Sequence, residues 1–228
     1  MADNDFYKGE LPVNYEQKCP VTLVLDSSGS MAGEPINELI GGLRSFIEEI
    51  KNDTVANSRL EVSIITFNSN VKVLSGFQMV DQMSVPELTA QGSTKLADGV
   101  NRAIQVLETR KDWYKGTGQR YYRPFIILIT DGYPDGDQDL NALRQTIHDG
   151  VKEKKFNFWA FGVKGASLNM LKQISHESWP PQMIKGVEFV KFFQWLSASL
   201  GAITKSREGE KLNLAPKDES SSPFQITM

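Results

Sequence analysis

The sequence has little of what several common classes of protein require. Its 228 residues include one cysteine, Cys19, which excludes an internal disulfide, and its place beside the first predicted strand favours a buried packing role. The apolar runs, such as residues 125–129, fall far short of the roughly 20 residues that a membrane-spanning helix needs. The 25 basic and 28 acidic residues nearly balance, and no dense basic stretch occurs. These absences disfavour a disulfide scaffold, a membrane protein and a nucleic-acid-binding protein.

Signals for export and for several kinds of catalysis are missing as well. The N-terminal sequence Met-Ala-Asp-Asn-Asp-Phe has neither the basic nor the apolar region of a signal peptide, so we expect a cytoplasmic protein. No Gly-x-Ser-x-Gly elbow and no Gly-x-x-x-x-Gly-Lys loop occurs, which disfavours a serine hydrolase and a nucleotide hydrolase. The only histidines, His148 and His176, fall in late predicted helices and are interpreted as surface or packing residues.

Apolar periodicity predicts strands that alternate with amphipathic helices along the chain. The strands over residues 60–67 and 71–77 are close enough in sequence to form a hairpin, which makes one edge strand antiparallel. The remaining predicted strands cover residues 20–26, 125–130 and 156–163, and the predicted helices begin near residues 35, 96, 140, 168 and 187. This alternation is typical of an α/β fold with a doubly wound, mostly parallel sheet flanked by helices.

The domain organisation follows from where this pattern begins and ends. We expect one domain over residues 17–205, with a polar leader (1–16) before it and a polar tail (206–228) after it. Residues 113–123, with two glycines and several charges, are interpreted as a surface excursion. In the last helix Phe189 and Phe193 fall on the buried stripe, whereas Trp195 falls off it and is the candidate for exposure. Two short apolar islands in the tail could fold on a partner.

A loop rich in carboxylate and hydroxyl groups follows the first predicted strand. Asp26, Ser28 and Ser30 occupy alternate positions, and a glycine between the serines lets the backbone curl. Mg²⁺ accepts such oxygens in a near-octahedral arrangement that leaves positions for water or an incoming acidic group. Asp-x-Ser-x-Ser alone also fits an Asx turn or a helix cap. Two later loops supply further oxygens, from Thr94 and Asp131, at the sheet edge where ligands bind in such folds.

This five-residue pattern resembles the von Willebrand factor A domain family, whose metal-ion-dependent adhesion site joins an Asp-x-Ser-x-Ser loop to a threonine and an aspartate from two later loops. The resemblance implies a Rossmann-like fold in which Ser28, Ser30 and Thr94 contact Mg²⁺ or Mn²⁺, while Asp26 and Asp131 act largely through bound waters. With few direct carboxylates, the ion keeps positive charge and binds an Asp or Glu donated by another protein. The implied function is metal-dependent protein binding without catalysis.

Further segments resemble the TerY-type branch of this family, small bacterial proteins encoded with tellurium-resistance and stress genes. These segments are residues 11–12 or 20–21, which lead into the first strand, and residues 28–31, 33–36, 88–90, 92–94, 130–132, 171–174 and 192–199. The Trp179-Pro180-Pro181 loop departs from the branch. This second resemblance implies a scaffold that works with a protein kinase, a protein phosphatase or a stress protein. The alternative is an adaptor for an AAA+ ATPase.

A phosphatase of the haloacid dehalogenase type is the strongest enzymatic competitor, because its site also begins with an aspartate after a buried strand. Such sites have the motif Asp-x-Asp at this point, whereas here Ser28 takes the position of the second aspartate. Serine cannot act as an acid or base near neutral pH, which disfavours this alternative. Asp135, Asp137 and Asp139 could extend the ion site, but we interpret them as solvated carboxylates near a helix N-terminus.

Overall fold

A six-stranded sheet with helices on both faces organises residues 7, 9–163, 165–185 and 188–206, the part of the chain that the computed structural model describes. The strands are β1 (Cys19–Asp26), β2 (Leu60–Phe67), β3 (Val71–Met79), β4 (Phe125–Thr130), β5 (Asn157–Gly162) and β6 (Gln182–Met183). The helices are α1 (Glu34–Asn52), α2 (Thr54–Arg59), α3 (Leu96–Thr117), α4 (Leu140–Lys152), α5 (Leu168–Ile174) and α6 (Phe189–Lys205).

The strand order is β3-β2-β1-β4-β5-β6, and every neighbouring pair is parallel except β2 and β3. The predicted fold class, including the antiparallel edge strand, is therefore confirmed. The chain order of the strands reverses between β1 and β4, since β2 and β3 lie on one side of that pair and β5 and β6 lie on the other. In a doubly wound sheet this reversal point opens a crevice at the carboxyl ends of the two strands.

The central strand β1 is buried on both faces, which explains why Thr22 is its only polar residue before Asp26. Val21, Leu23 and Leu25 belong to the core that α1 and α6 cover, whereas Val24 belongs to the core beneath α3 and α4. Such alternation follows from the two-residue period of a strand. Helices therefore cover both faces of the strand that ends at Asp26.

The structure corrects the prediction of a surface excursion over residues 113–123. Helix α3 continues to Thr117 and ends where Gly118 adopts a φ of 71°. Tyr114 is fully buried, and its hydroxyl donates to Glu61 at 2.5 Å. Nothing local in the sequence indicates this burial, because Glu61 lies 53 positions from Tyr114 and pairs with Arg110 inside the protein, with side chains only 3% and 2% exposed.

The prediction for α6 is confirmed for its buried stripe. Phe189 and Phe193 are fully buried, and they face α1. Trp195 is half-buried and packs edge-on against Trp159, with ring centroids 5.1 Å apart. Trp179, in the loop that departs from the TerY-type pattern, joins the same aromatic cluster at 5.0 Å from Trp159.

Residues 9–16 of the predicted leader run along the end of the sheet at which the parallel strands begin. Glu10 pairs with Arg110 at 2.9 Å, and the Asn14 amide donates to the Ser58 carbonyl at 3.1 Å. The predicted tail lies outside the described residues from residue 207 onward. None of the described helices is long and apolar enough to cross a membrane.

Candidate metal centre

Three loops meet at the crevice between β1 and β4. The first, which follows Asp26 at the end of β1, turns through a short 3-10 helix over Gly29–Met31. The second contains Thr94 and leads into α3, and the third follows Thr130 at the end of β4. Because β1 and β4 are parallel neighbours, their carboxyl ends deliver Asp26 and Asp131 to the same edge of the sheet.

Asp26 is fully buried, and hydrogen bonds fix both of its carboxylate oxygens. One oxygen accepts from the backbone N–H of Ser28 at 2.8 Å, and the other accepts from the Thr130 hydroxyl at 2.5 Å. The first contact curls the loop in the manner of an Asx turn. The Asx-turn interpretation of the motif is thus correct for the backbone, and it is compatible with a ligand role for the serine hydroxyls.

A short chain of hydrogen bonds joins the first loop to the third. The hydroxyls of Ser28 and Ser30 lie 3.0 Å apart, and the Ser30 hydroxyl donates to Asp131 Oδ1 at 2.8 Å. Ser30 and Asp131 are 101 positions apart in the sequence, so the contact depends on the folded sheet. The structure therefore brings Ser28, Ser30 and Asp131 together as the sequence predicts.

Thr94 approaches the same place from the second loop. A β-carbon added at Gly132 would lie 3.4 Å from Thr94 Oγ1 and 3.7 Å from Asp26 Oδ2, which places both oxygens beside the start of the third loop. Asp135 accepts from the Thr94 backbone N–H at 3.0 Å, and the Gln138 amide donates to the Thr94 carbonyl at 2.7 Å. The third loop thus holds the Thr94 backbone from two side chains.

The backbone ties the first and second loops to each other. Gly29 N–H donates to the Gly92 carbonyl at 3.0 Å, and Gln91 N–H donates to the Ser27 carbonyl at 2.9 Å. Gly92 has a φ of 73°, and a β-carbon there would lie 2.3 Å from Ser69 Oγ, so only glycine fits. These main-chain contacts fix the position of Thr94 relative to the serines together with the Asp135 and Gln138 side chains.

The electrostatics of the crevice favour a cation. Burial raises the pKa of Asp26, although hydrogen bonds from Ser28 and Thr130 oppose the shift. Burial also raises the pKa of Asp131 against the hydrogen bond from Ser30. Both shifts mean that burial makes the ionised form of each carboxyl group unfavourable when no cation is bound. A divalent cation would remove that cost by supplying positive charge next to them.

The donor set also fits a hard cation. Three hydroxyls and two carboxylates converge, whereas softer metals prefer thiolate or imidazole ligands. Among the described residues no three His, Cys, Asp or Glu side chains come together as a metal cluster, so a cation here depends on the hydroxyl groups. His148 and His176 pack against each other with ring centroids 5.2 Å apart, and His148 Nε2 lies 3.0 Å from the Ser175 carbonyl oxygen.

The sequence interpretation missed three residues that position the site. Thr130 holds Asp26, and it is recognisable as the only polar residue in the strand sequence Phe-Ile-Ile-Leu-Ile-Thr. Asp135 and Gln138 hold the Thr94 loop, and nothing local to their own sequence marks this role. Asp139 caps α4 by accepting from Ala142 N–H at 2.9 Å, which agrees with its interpretation as a carboxylate near a helix N-terminus.

The sequence profile of the von Willebrand factor type A domain family matches residues 21–191, which include all three loops. The chain belongs to this family. Uncharacterized protein sll0103 of Synechocystis sp. is 28% identical to this A domain over 144 residues, covering 60% of the chain and 30% of the relative. Inter-alpha-trypsin inhibitor heavy chain H3 of Mesocricetus auratus is 24% identical over 152 residues, covering 65% and 17%. The A domain thus spans less than a third of either relative.

Solved structures share the fold at low sequence identity. The pilus adhesin SpaC from Lactobacillus rhamnosus GG superposes on the A domain with a TM-score of 0.67 at 13% identity, covering 85% of this chain and 31% of that one. The von Willebrand factor domain of the type V pili tip protein Mfa5 from Porphyromonas gingivalis gives 0.61 at 12% identity, covering 86% and 99%. At these identities the likeness establishes the architecture of the A domain.

Proposed function

We propose that this A domain is a metal-dependent protein-binding module with a metal-ion-dependent adhesion site formed by Asp26, Ser28, Ser30, Thr94 and Asp131. The observation that supports it best is the hydrogen bond from Ser30 to Asp131, which joins two of the three ligand loops across the crevice. The same five residues match the family pattern at every position. The proposed ion is Mg²⁺ or Mn²⁺, because both are satisfied by hydroxyl, carboxylate and water oxygens.

The protein groups in this proposal supply positioning more than charge. The serine and threonine hydroxyls are neutral ligands, so an ion that they hold keeps much of its positive charge. Such an ion can accept a carboxylate oxygen in place of a water. The partner is therefore a protein that presents an Asp or Glu side chain at the mouth of the crevice.

A catalytic role fits the geometry of Asp26 poorly. An aspartyl nucleophile needs an oxygen that can reach a substrate, whereas Asp26 is fully buried with its oxygens occupied by Ser28 N–H and the Thr130 hydroxyl. The position two residues later holds Ser28, so a haloacid dehalogenase mechanism also lacks its acid or base. We therefore propose binding without catalysis.

The biological setting is also part of the proposal. The resemblance to TerY-type proteins favours a scaffold in a bacterial tellurium-resistance, stress or phosphorylation system, with a kinase, phosphatase or stress protein as partner. An adaptor for an AAA+ ATPase is the second candidate. A cytoplasmic setting is consistent with the lone, fully buried Cys19. Genes for a kinase and a phosphatase beside the gene for this chain would favour the first role, and an ATPase gene the second.

Calorimetric titration with MgCl₂ and MnCl₂ tests the metal site. Wild type and Ser93→Ala should bind one ion, whereas Thr94→Ala should bind it at least about tenfold more weakly. Ser93 is a matched control because it is the neighbour of Thr94, and its hydroxyl contacts Ser69 at 3.2 Å. Equal affinity of the Thr94→Ala and Ser93→Ala proteins would overturn the assignment.

Affinity capture from cells tests the binding function. The full chain should retain a partner in Mg²⁺ and release it in EDTA, and Asp26→Ala should retain none under either condition. Ser27→Ala provides the control within the same loop, because the Ser27 hydroxyl contacts the Phe67 carbonyl at 3.2 Å rather than the crevice. Retention that is the same in EDTA and in the Asp26→Ala protein would contradict metal-dependent binding.

A further inference from the structure

Residues 10–15 carry an apolar face that the described part of the chain leaves uncovered. Leu11, Val13 and Tyr15 are 79%, 64% and 73% exposed, and they are three of the four large hydrophobic side chains exposed among the described residues. The alternate residues face the protein: Glu10 pairs with Arg110, and Asn14 donates to a carbonyl of the α2 segment. The segment thus has one side that holds it to the domain and one side that is apolar.

The last turn of α6 lies close to Glu16, the residue that follows residues 10–15. Arg59 donates from Nη1 to the Thr204 carbonyl at 2.5 Å and from Nη2 to Glu16 Oε2 at 2.7 Å. A single guanidinium therefore bridges the last turn of α6 and the residue that follows Tyr15. Residues 207–228 continue from this point.

Residues 207–228 include apolar residues that have the same spacing as the apolar face and that follow α6 closely enough in sequence to reach it. Leu212, Leu214 and Pro216 occupy alternate positions, as do Leu11, Val13 and Tyr15. Leu212 is six positions after Ser206, and the chain between them can span up to about 20 Å. A chain that starts beside Glu16 meets Tyr15 first and Leu11 last, so it must run antiparallel to residues 11–15.

We propose that residues 211–216 of this chain dock on the apolar face of residues 11–15. Leu212 lies against Tyr15 and Leu214 against Val13, with Pro216 near Leu11. Lys211 then falls opposite Glu16, so the charges at that end are complementary. The docked tail covers the largest group of exposed apolar side chains at this end of the domain.

The size of the face favours a tethered segment over a second copy of the chain. A stable dimer buries about 800 Å² on each partner, far more than three side chains can supply. A short tether gives the tail an effective concentration in the millimolar range, so a small contact is enough to hold it. A weak contact between the tail and the apolar face is therefore sufficient, and the apolar residues of the two segments have the same spacing.

Disulfide trapping in the full chain tests the proposal. Val13→Cys combined with Leu214→Cys places the two thiols in contact if the tail docks as proposed. The native Cys19 does not compete, because it is fully buried and burial raises the pKa of its thiol to about 12. The matched control combines Asn52→Cys with Leu214→Cys, since Asn52 is exposed and precedes Asp53, whose carboxylate binds Lys205 at the end of α6 at 2.5 Å.

We expect the Val13→Cys/Leu214→Cys protein to form an intramolecular disulfide about tenfold faster or more than the control, because random encounters of a tethered tail would treat both sites alike. Equal rates in the two proteins would overturn the proposal. A covalent dimer as the main product would overturn it in favour of a second copy on the face. Absence of any disulfide in the Val13→Cys/Leu214→Cys protein would also overturn the proposal, and the occupant of the face would then be another protein.

Discussion

Arg110 and Glu61 face each other inside the protein, joined by two hydrogen bonds of 2.9 Å from Arg110 Nε and Nη2 to the two carboxylate oxygens. The guanidinium also stacks on Trp113, with its central carbon 3.9 Å from the ring centroid. Glu10 binds the remaining nitrogen, Nη1. This pair ties β2, α3 and the N-terminal segment together at the end of the sheet opposite the metal centre.

Breaking this pair on one side should destabilise the fold strongly. Glu61→Gln leaves the 2% exposed Arg110 with only Glu10, whose side chain is 36% exposed, as a charged partner. We expect the free energy of unfolding, measured in urea, to fall by about 3 kcal/mol, because a buried charge without its partner is costly. Glu10→Gln is the control and should lose under about 1 kcal/mol. A Glu61→Leu/Arg110→Leu protein should lose less than the sum of its single variants, and full additivity would contradict the coupling.

Two adjacent glycines of α1 should respond in opposite directions to alanine. A β-carbon at Gly42 would lie 2.6 Å from the Phe193 ring and 3.0 Å from the Phe189 backbone of α6, whereas at Gly41 the nearest atom would be 3.9 Å away. Gly42→Ala should therefore lower the free energy of unfolding by about 1–3 kcal/mol through overpacking. Gly41→Ala should raise it by up to about 1 kcal/mol, since alanine favours the helix. Equal effects in urea unfolding would mean that α1 and α6 are not in close contact.

Stability should also depend on pH through Asp53, which links α1, α2 and α6. The hydrogen bond from Lys205 is the main cause of a lowered pKa of Asp53 in the folded protein, with backbone N–H groups of α2 adding to it. A carboxylate with a lowered folded pKa stabilises the fold above its unfolded pKa of about 3.9, and this contribution is lost as the pH falls through the lower folded pKa.

The measurement is the difference in unfolding free energy between wild type and Asp53→Asn, which should stay constant from about pH 5 to pH 8 and shrink below about pH 4. Because Lys205 is half exposed, the charged part should be under about 1 kcal/mol and should weaken in high salt. A difference that grew on acidification would show that the sign of the coupling is wrong.

Addition of metal should stabilise the protein only while the crevice is intact. Mg²⁺ at about 100 times its dissociation constant should raise the free energy of unfolding by about 2.7 kcal/mol. Asp26→Asn should abolish that increase, yet in EDTA it should be no less stable than wild type, because burial already disfavours the charged form of Asp26. Both quantities come from urea unfolding with and without the ion. A Mg²⁺ effect that survives in Asp26→Asn would place the ion elsewhere.

The parts of the fold that sequence predicted well are those with a strong local signal. Strand β1 is apolar apart from Thr22 as far as Asp26 because both of its faces are buried, and the prediction of β2 matches its observed limits at Leu60 and Phe67. Helix α2 was not predicted, since its six residues are too few for a periodic pattern, and only the Asp53 cap marks its start. The end of α3 was misjudged because Tyr114 and Arg110 look like surface residues until Glu61 is placed beside them.

The candidate site shows the same difference between features with a local sequence signal and features that depend on the fold. Asp26, Ser28 and Ser30 are recognisable in sequence because they share one short loop, and Thr94 and Asp131 complete a family pattern. Their mutual contacts remain invisible without the sheet, because Ser30 and Asp131 meet only when β1 and β4 are neighbours. Asp135 and Gln138 act through the Thr94 backbone, so no property of their own sequence identifies them.

The pairing of β1 with β4 also sets a strict length requirement on the chain. Leu25 lies level with Ile129, so Asp26 and Thr130 follow at the same height and their side chains meet. Lengthening β4 by one residue before Thr130 would turn the hydroxyl to the opposite face of the sheet. Asp26 would then lose the donor that orients it, although both strands could remain apolar and fully paired. Insertions are therefore compatible with this site in the loop before β4 but not within the strand or in the loop after it, which carries Asp131, Asp135 and Gln138.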